Sequence, residues 1–319
     1  MGGEPGLTVV TLVRDRNAML GRLLDGLDAG HRHPREVVVA RCGGEDPRPV
    51  AGARPYPVRV IEVDSPDERI PYSPARNRGA EAATTEAVAF LDADCIPTAG
   101  YVAALEDALG AVDALCTGEV LYLPPDAPLG AGAEALRPHG RPHPHRPRPP
   151  ATGIALGARH ELVWGLHMAL RRTTFLALGG FDEGYRGYAG EDTDLAVAAR
   201  EAGVPVALVA GAEILHQHHD TWEPPLQQAA ATVANAQRFR DRWGWWPMDG
   251  WLAAMAELGI IAWTPDAERA EVLRPPTDAE LAAAHRPAAL PFLADGQPSA
   301  RVGPIGSSAS GPAGWSVSL

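Results

Sequence analysis

Two aspartates, Asp92 and Asp94, end an apolar run in the stretch Phe90-Leu91-Asp92-Ala93-Asp94. Residues two apart on an extended chain point to the same side, so both carboxylates would emerge together from a strand end. They would repel each other unless a cation lay between them. Mg²⁺ and Mn²⁺ accept such oxygen ligands and commonly bridge them to phosphates. A solvated turn with two acids is the alternative interpretation.

A second acidic group lies about a hundred residues later, in Gly190-Glu191-Asp192-Thr193-Asp194. Acids in the first turn of a helix favour the helix dipole, which explains one or two of them. Capping does not explain the glycines that precede the group, Gly179-Gly180 and Gly190. We therefore treat Glu191 and Asp192 as candidate site residues.

Histidines form a third candidate group, His216-Gln217-His218-His219, directly after a strand-like run. His216 and His218 would share one face if the strand continues. A single histidine is usually structural, but three in four residues favour a ligand or site role.

Arg76 stands near a predicted helix start in Ser73-Pro74-Ala75-Arg76-Asn77-Arg78-Gly79. Its planar guanidinium could pair with a diphosphate through two parallel hydrogen bonds. A plain surface charge is the alternative, and it is the preferred interpretation for Arg78.

The elements that must position these groups alternate between strand and helix in the first half of the chain. Strands are predicted at 7–13, 36–40, 58–63 and 87–91, and helices at 20–27, 75–83 and 98–109. Such alternation predicts a parallel sheet with helices on both faces. Because ligands bind beyond the carboxyl ends of such strands, we expect the site near Thr11, Arg41 and Asp92.

The pattern breaks at Pro124–Pro150, where nine of 27 residues are proline. We interpret this stretch as a mobile loop that folds over bound substrate, since its histidines are spaced wrongly for a compact zinc site. Beyond it, helices are predicted at 173–178, 191–202, 226–242 and 251–261, with strands at 206–209 and 212–215. The predicted parts are 1–123, the loop 124–150, 151–222, a helical extension 223–263, and a low-complexity, disordered tail 264–319.

Composition excludes several classes of protein. The 319 residues carry a net charge of −12 and no lysine, which excludes a Walker-A loop and lysine Schiff-base chemistry. The acidic balance argues against nucleic acid as a partner. Three scattered cysteines, no predicted signal peptide and no predicted transmembrane span favour a cytoplasmic protein, with room for peripheral membrane contact.

Taken in order, these motifs resemble the inverting glycosyltransferases of family two, which have the GT-A fold. The C-terminal half also resembles the acceptor domain of the galactosyltransferases of family seven. The resemblance covers about Leu7 to Trp251. It is carried by the first strand, Ala75-Arg76-Asn77, Asp92-Ala93-Asp94, Gly165 to Arg172, Gly179 to Glu183, Glu191-Asp192 and the histidine group.

The resemblance implies an α/β GT-A fold with a mostly parallel, Rossmann-like sheet flanked by helices, and a C-terminal helical extension. It implies a nucleoside-diphosphate sugar as donor, an Mn²⁺ or Mg²⁺ ion, and a saccharide, small-molecule or lipid acceptor. Asp192 matches the general base, with Glu191 orienting the acceptor. The residues implied to bind donor or metal are Thr11, Val13, Arg14, Arg76, Asp92, Ala93, Asp94 and His216 or His218. Trp164 and Trp222 flank the motifs and are predicted near the acceptor.

One departure from the family pattern concerns the nucleotide base. The second strand of the family ends in an aspartate that contacts the base, whereas here Arg41-Cys42-Gly43-Gly44 follows Val39-Ala40. UDP is therefore only the preferred nucleotide, and Arg41 could contact a phosphate instead.

Two other functions fit part of the same pattern. A phosphotransferase of the haloacid dehalogenase type also uses two aspartates at a strand end, but on its first strand and with a later basic residue that is commonly lysine. A non-catalytic nucleotide-sugar or metal-binding module on a degenerate glycosyltransferase fold is the second alternative. The presence of both acidic pairs argues against the module.

Overall fold

The computed structural model describes residues 3–65 and 69–286. The helices are α1 (Asn17–Asp28), α2 (Arg48–Ala51), α3 (Tyr72–Ala82), α4 (Tyr101–Ala111), α5 (Ala133–Leu136), α6 (Arg172–Ala177), α7 (Glu191–Glu201), α8 (Ala229–Trp243), α9 (Asp249–Glu257) and α10 (Asp278–Ala284). The strands are β1 (Glu4–Val13), β2 (Glu36–Arg41), β3 (Val58–Glu62), β4 (Thr85–Leu91), β5 (Cys95–Pro97), β6 (Leu115–Thr117), β7 (Val120–Tyr122), β8 (Arg141–Pro142), β9 (Ile154–Leu156), β10 (His167–Arg171), β11 (Val206–Val209), β12 (Ile214–His216), β13 (Thr221–Trp222), β14 (Ile261–Ala262), β15 (Glu271–Val272) and β16 (His285–Arg286).

The described chain divides into two compact units. The first, called the sheet unit, comprises the chain up to Pro142 together with Arg146–Glu183 and Glu191–His218. The second, called the helical unit, comprises His143–His145, Gly184–Gly190 and the chain from His219 onward.

An eight-stranded sheet in the order β3-β2-β1-β4-β10-β6-β11-β9 forms the centre of the sheet unit. The first four strands in that order are parallel, and their continuous apolar runs are typical of strands buried on both faces. β10 then runs antiparallel to both β4 and β6. The sheet is therefore mixed, and the predicted parallel arrangement applies to its N-terminal half.

Strand register brings the expected carboxyl ends to one edge of the sheet. Val13 of β1 aligns with Arg41 of β2, and Val10 of β1 aligns with Phe90 of β4. Because β10 is antiparallel, its first residue, His167, is the one that pairs with Leu91 at the end of β4. The start of β10 and the ends of the parallel strands thus meet at the same place.

The main core of the sheet unit lies between the sheet and helices that include α3, α6 and α7. Phe90, Phe175 and Phe181 pack with ring centroids 5.0 to 5.7 Å apart. Burial of such rings is a large apolar contribution to stability. The core anchors β4 immediately before Asp92.

The proline-rich stretch contains short elements that its composition did not predict. It includes α5 and β8, and β8 pairs with β7. Leu136 is fully buried in a small cluster with Leu121 and Leu215. The mobility of this stretch, and its closure over a substrate, remain predictions.

The helical unit has its own apolar core around α8 and α9, with Val233, Leu252 and Met255 at its centre. The structure differs from the sequence expectation over 264–286, where β15, α10 and β16 form; Thr277 and Glu280 cap α10 reciprocally. The disorder predicted for the last residues concerns 287–319, which lie outside the described residues. No described helix combines the length and the apolar character that a membrane crossing requires.

Candidate active site

The Asp92-Ala93-Asp94 motif forms a tight turn between β4 and β5. The Asp92 N–H donates to the carbonyl of Leu166 at 3.0 Å, and the Cys95 N–H donates to the Asp92 carbonyl at 2.9 Å. The first bond holds the turn against the chain that leads into β10, and the second closes the turn itself. The Asp92 side chain is 24% exposed, whereas the Asp94 side chain is 7% exposed.

Arg76, on α3, joins the two acidic motifs. Its Nη1 donates to Glu191 Oε1 at 2.7 Å and its Nη2 to Asp92 Oδ1 at 3.2 Å. The guanidinium is almost fully buried and lies 5.2 Å from the ring centroid of Phe181. Acids 99 residues apart in sequence are therefore held by one rigid cation.

Asp192 is fixed by backbone hydrogen bonds at the start of α7. The Gly165 N–H donates to Oδ2 at 2.7 Å, and the Thr193 N–H donates to Oδ1 at 2.6 Å. Gly165 allows a close approach, because a Cβ there would lie 2.8 Å from Arg76 Nη2 and 3.3 Å from Asp192 Oδ2. A side chain at position 165 would therefore force Arg76 or Asp192 to shift.

Asp94 lies beside one of the predicted histidines. Its Oδ1 is 3.7 Å from His216 Nε2, because β12 pairs antiparallel with β5 and aligns His216 with Cys95. Arg16 donates to the other carboxylate oxygen. A carboxylate oxygen and an imidazole nitrogen at this separation are close enough to bind one divalent ion.

Crowding perturbs the acids that face Arg76. Burial raises the pKa of Asp92 to about 6 and that of Glu191 to about 7, and Asp94 and Asp192 respectively add to these shifts. Arg76 opposes both shifts, and the same carboxylates raise the pKa of its guanidinium. Asp92, Asp94, Glu191 and Asp192 outnumber Arg16, Arg76 and Arg146 at this edge of the sheet, so the cluster favours an added cation.

The predicted donor-side residues line the ends of β1 and β2. Thr11 is buried, and its hydroxyl has no hydrogen-bond partner among the described residues. Val13 is also buried, and Arg14 donates from Nη1 to the Cys42 carbonyl at 2.9 Å. Arg41 is engaged by Gly44 and by Glu62, and its contact with a phosphate remains a prediction.

The structure brings Arg76, Asp92, Asp94, Glu191, Asp192 and His216 together within the sheet unit. Ala93 lies buried between the two aspartates. Arg76 donates its two charged hydrogen bonds to the carboxylates of Glu191 and Asp92. Its predicted contact with the donor substrate stays a prediction. The ligand role of His218, which follows the end of β12 by two residues, also stays a prediction.

Sequence reasoning missed three residues of this neighbourhood. Arg16 could not be paired with Asp94 from sequence, since 78 residues separate them. His167 belongs to the stretch that resembles the family, but it had no predicted role. It is buried and accepts the Gly118 N–H at 2.6 Å. Burial lowers its pKa to about 3. Arg146 was hidden in the proline-rich stretch and is buried.

Known proteins resemble this chain over the same region. The family model described as glycosyltransferase-like family 2 matches residues 5–235. A validoxylamine A glucosyltransferase of Streptomyces hygroscopicus subsp. limoneus is 29% identical over 64% of this chain and 50% of its own length. The chain thus spans about half the length of that relative.

Two further similarities concern one sequence and one structure. An N-acetylglucosaminyl-diphospho-decaprenol L-rhamnosyltransferase of Mycobacterium tuberculosis is 28% identical over 75% of this chain and 86% of its own. A crystal structure of GalNAc-T7 with UDP, GalNAc and Mn²⁺ has a TM-score of 0.48 and 17% identity, and covers 66% of this chain and 43% of that one. With the family model matching most of the chain and a mixed sheet flanked by helices, the chain belongs to glycosyltransferase-like family 2 and has the α/β architecture of GT-A enzymes.

Proposed function

We propose that this chain transfers a sugar, with inversion, from a nucleoside-diphosphate sugar to an acceptor hydroxyl, in the presence of Mn²⁺ or Mg²⁺. The observation that carries the proposal is the Arg76 bridge, which holds Asp92 and Glu191 in one cluster. An inverting transfer needs an acidic donor site and a separate base for the acceptor, and this cluster supplies both kinds of group.

The donor side of the proposal rests on Asp92, Asp94 and His216. Asp94 Oδ1 and His216 Nε2 would hold the divalent ion, with Asp92 beside them. A bound divalent ion supplies Lewis-acid stabilisation of the charge that grows on the departing diphosphate. UDP is the preferred nucleotide, although the residues after β2 differ from the family pattern.

The acceptor side rests on Asp192, which would accept the proton of the attacking hydroxyl. Each of its oxygens already accepts a backbone N–H, so the carboxylate is oriented before substrate arrives. A positioned carboxylate within hydrogen-bond reach typically contributes about 10²- to 10⁴-fold to the rate. Glu191, oriented by Arg76, lies next to it and would position the acceptor.

The acceptor itself would be a saccharide, a small molecule or a lipid-linked group. The names of the two relatives support this range, since one acts on validoxylamine A and the other on a diphospho-decaprenol. The proposal includes that the C-terminal half binds the acceptor, as the acceptor domains of family seven do.

A thermal-shift panel of nucleoside diphosphates, with and without Mn²⁺, tests the donor side. A ligand at a hundred times its Kd stabilises the folded state by about 2.7 kcal/mol. We expect one nucleotide to give a metal-dependent rise in Tm that Asp94→Asn abolishes. Asp107→Asn, an exposed acid paired with Arg32, is the matched control and should retain the rise.

The panel also separates the proposal from its rival. No metal-dependent shift with any nucleoside diphosphate would contradict a metal-dependent donor site. Binding without any hydrolysis of the nucleotide sugar, with or without candidate acceptors, would favour a non-catalytic module instead.

A further inference from the structure

Arg146 is a buried arginine whose charge no carboxylate of the described residues neutralises directly. It is 8% exposed, and its Nη1 has no hydrogen-bond partner within 3–65 and 69–286. Its one hydrogen bond runs from Nη2 to Thr117 Oγ1 at 3.5 Å, at the limit of hydrogen-bond distance. No described carboxylate forms an ion pair with it, which is rare for a buried guanidinium.

The other buried arginine of the sheet unit shows the contrast. Arg76 has carboxylates at 2.7 and 3.2 Å, and they raise the pKa of its guanidinium. Burial lowers the pKa of Arg146, because the nearby charges do not offset the loss of water. A site that keeps such a cation buried is prepared for an anion from outside the chain.

The surroundings of Arg146 locate that anion relative to the reacting groups. Its guanidinium carbon lies 5.0 Å from the ring centroid of Trp164. Trp164 immediately precedes Gly165, whose N–H holds Asp192. Tyr122 and Cys95 act on the charge of the Arg146 guanidinium more strongly than Asp192 does, and Tyr122 packs against His216 with ring centroids 5.1 Å apart. Arg146 therefore lies near both the proposed base and the proposed metal ligand His216.

We propose that Arg146 binds an anionic group, a phosphate or a carboxylate, carried by the acceptor. This inference rests on the proposed function and names a chemical class for its acceptor. The planar guanidinium can present two parallel N–H donors to such a group, while Trp164 keeps the guanidinium in place. The proposed metal ligands would hold a divalent ion that neutralises the donor diphosphate, so we assign Arg146 to the second substrate.

Inorganic phosphate serves as the probe, in EDTA so that no divalent ion contributes. We expect Arg146→Gln to weaken phosphate binding, measured by calorimetry, at least tenfold. Arg146→Lys keeps the charge but loses the paired donors. Its affinity for phosphate should lie between that of the unaltered protein and that of Arg146→Gln. Arg148→Gln is the control. Arg148 lies two residues after Arg146, is 69% exposed and pairs with Glu119. Unchanged phosphate binding in Arg146→Gln would overturn the inference.

A second measurement distinguishes acceptor from donor. Binding of the nucleoside diphosphate with Mn²⁺ should change less than twofold in Arg146→Gln; a parallel tenfold loss would assign Arg146 to the donor and overturn the proposal. If the unaltered protein binds no nucleoside diphosphate but Arg146-dependent phosphate binding persists, the proposed function fails while the anion site stands.

Stability supplies a readout that a purely structural arginine would not give. Since Arg146 has no ion pair, Arg146→Met should keep or raise the Tm measured without ligand, while losing phosphate binding at least tenfold. A Tm lowered by more than about 5 °C would mean that Arg146 holds the fold together, and would contradict a role in binding.

Discussion

The two ends of the central sheet bury carboxylates under opposite conditions. At the amino end of β2, Glu36 accepts hydrogen bonds from Thr8, from the N–H and hydroxyl of Thr84, and from Arg59. Although burial alone would raise the pKa of Glu36, these donors bring it below its ordinary value. At the carboxyl end, Asp92 and Glu191 share Arg76, and their pKa values are raised.

This difference separates a stabilising carboxylate from a reactive cluster. Glu36 has its donors supplied by the fold, so its ionised form strengthens the sheet. The acids at the other end are incompletely neutralised, so they favour an external cation or proton. Substitutions at one end should therefore change stability, and substitutions at the other should change activity.

The largest effect is expected for Asp192→Asn. Removing the proposed base should lower hydrolysis of the nucleotide sugar, measured with Mn²⁺, by about 10²- to 10⁴-fold. Nucleoside diphosphate binding should change less than twofold, because Asp192 lies on the acceptor side. Glu201→Gln, at the exposed far end of the same helix, is the control. Retained hydrolysis in Asp192→Asn would remove the base from the proposal.

Gly165→Ala should have the next largest effect. Its new Cβ would meet Arg76 Nη2 and Asp192 Oδ2, and Arg76 cannot retreat without losing its ion pairs. Misplacement of a reacting group by about 1 Å can cost on the order of 10²-fold, so we expect a loss of about 10- to 100-fold in hydrolysis.

Gly110→Ala is the matched control for that substitution, since nothing lies within 4 Å of a Cβ at Gly110. Equal hydrolysis rates for Gly165→Ala and the unaltered protein would show that the hydrogen bond from Gly165 to Asp192 tolerates such a shift.

Glu36→Gln should affect stability alone. Losing the charged acceptor should cost about 1–3 kcal/mol of unfolding free energy at pH 7, measured by urea titration, with unchanged hydrolysis. Because the folded pKa is lowered, the contribution of ionised Glu36 is present above about pH 4.5 and disappears as the pH falls through the folded value. The variant should therefore lose less stability on acidification, and a fall in hydrolysis without a stability change would break the comparison.

Glu223 in the helical unit gives the most specific effect, because it is seen only as a dependence of stability on pH. Burial raises its pKa to about 8, although Trp251 Nε1 donates to it at 3.1 Å. The folded state then holds a proton that the unfolded state loses above about pH 4.5, so stability falls as the pH rises to 8, by at most about 1.4 kcal/mol per unit. Urea titrations at pH 5.5 and 8 should show this fall in the unaltered protein and less of it in Glu223→Gln.

Glu257→Gln alters an exposed acid in the same unit and should keep the pH dependence. An identical slope for Glu223→Gln and the unaltered protein would mean that Glu223 is ionised when folded.

Local signals predicted the parallel strands of the sheet unit and their helices, but not the short strands β5 to β9. The apolar runs of β1, β2 and β4 and the acids that follow them depend on a few neighbouring residues, and each strand was found within a few residues of its predicted bounds. Neither β10 itself nor its antiparallel direction was predicted, because the direction depends on pairing with β4 and not on the residues of β10. The partners of Arg76 likewise depend on contacts across about a hundred residues.

The proline-rich stretch shows a different limit of sequence reasoning. Proline content predicted a stretch without secondary structure, whereas short elements form there, and it carries no information about burial. Leu136 and Arg146 are buried by contacts with distant strands, and no pattern within 124–150 distinguishes them from their exposed neighbours.

The reversed direction of β10 has a consequence for engineering the proposed acceptor site. Because β10 enters the sheet next to β4, the chain leading into it reaches the acidic cluster from outside the parallel strands. Exchanges in that connecting chain should therefore alter the proposed acceptor site while leaving β1, β2 and β4 intact. Chimeras should keep Arg146, Trp164 and Gly165, which contact each other or Asp192.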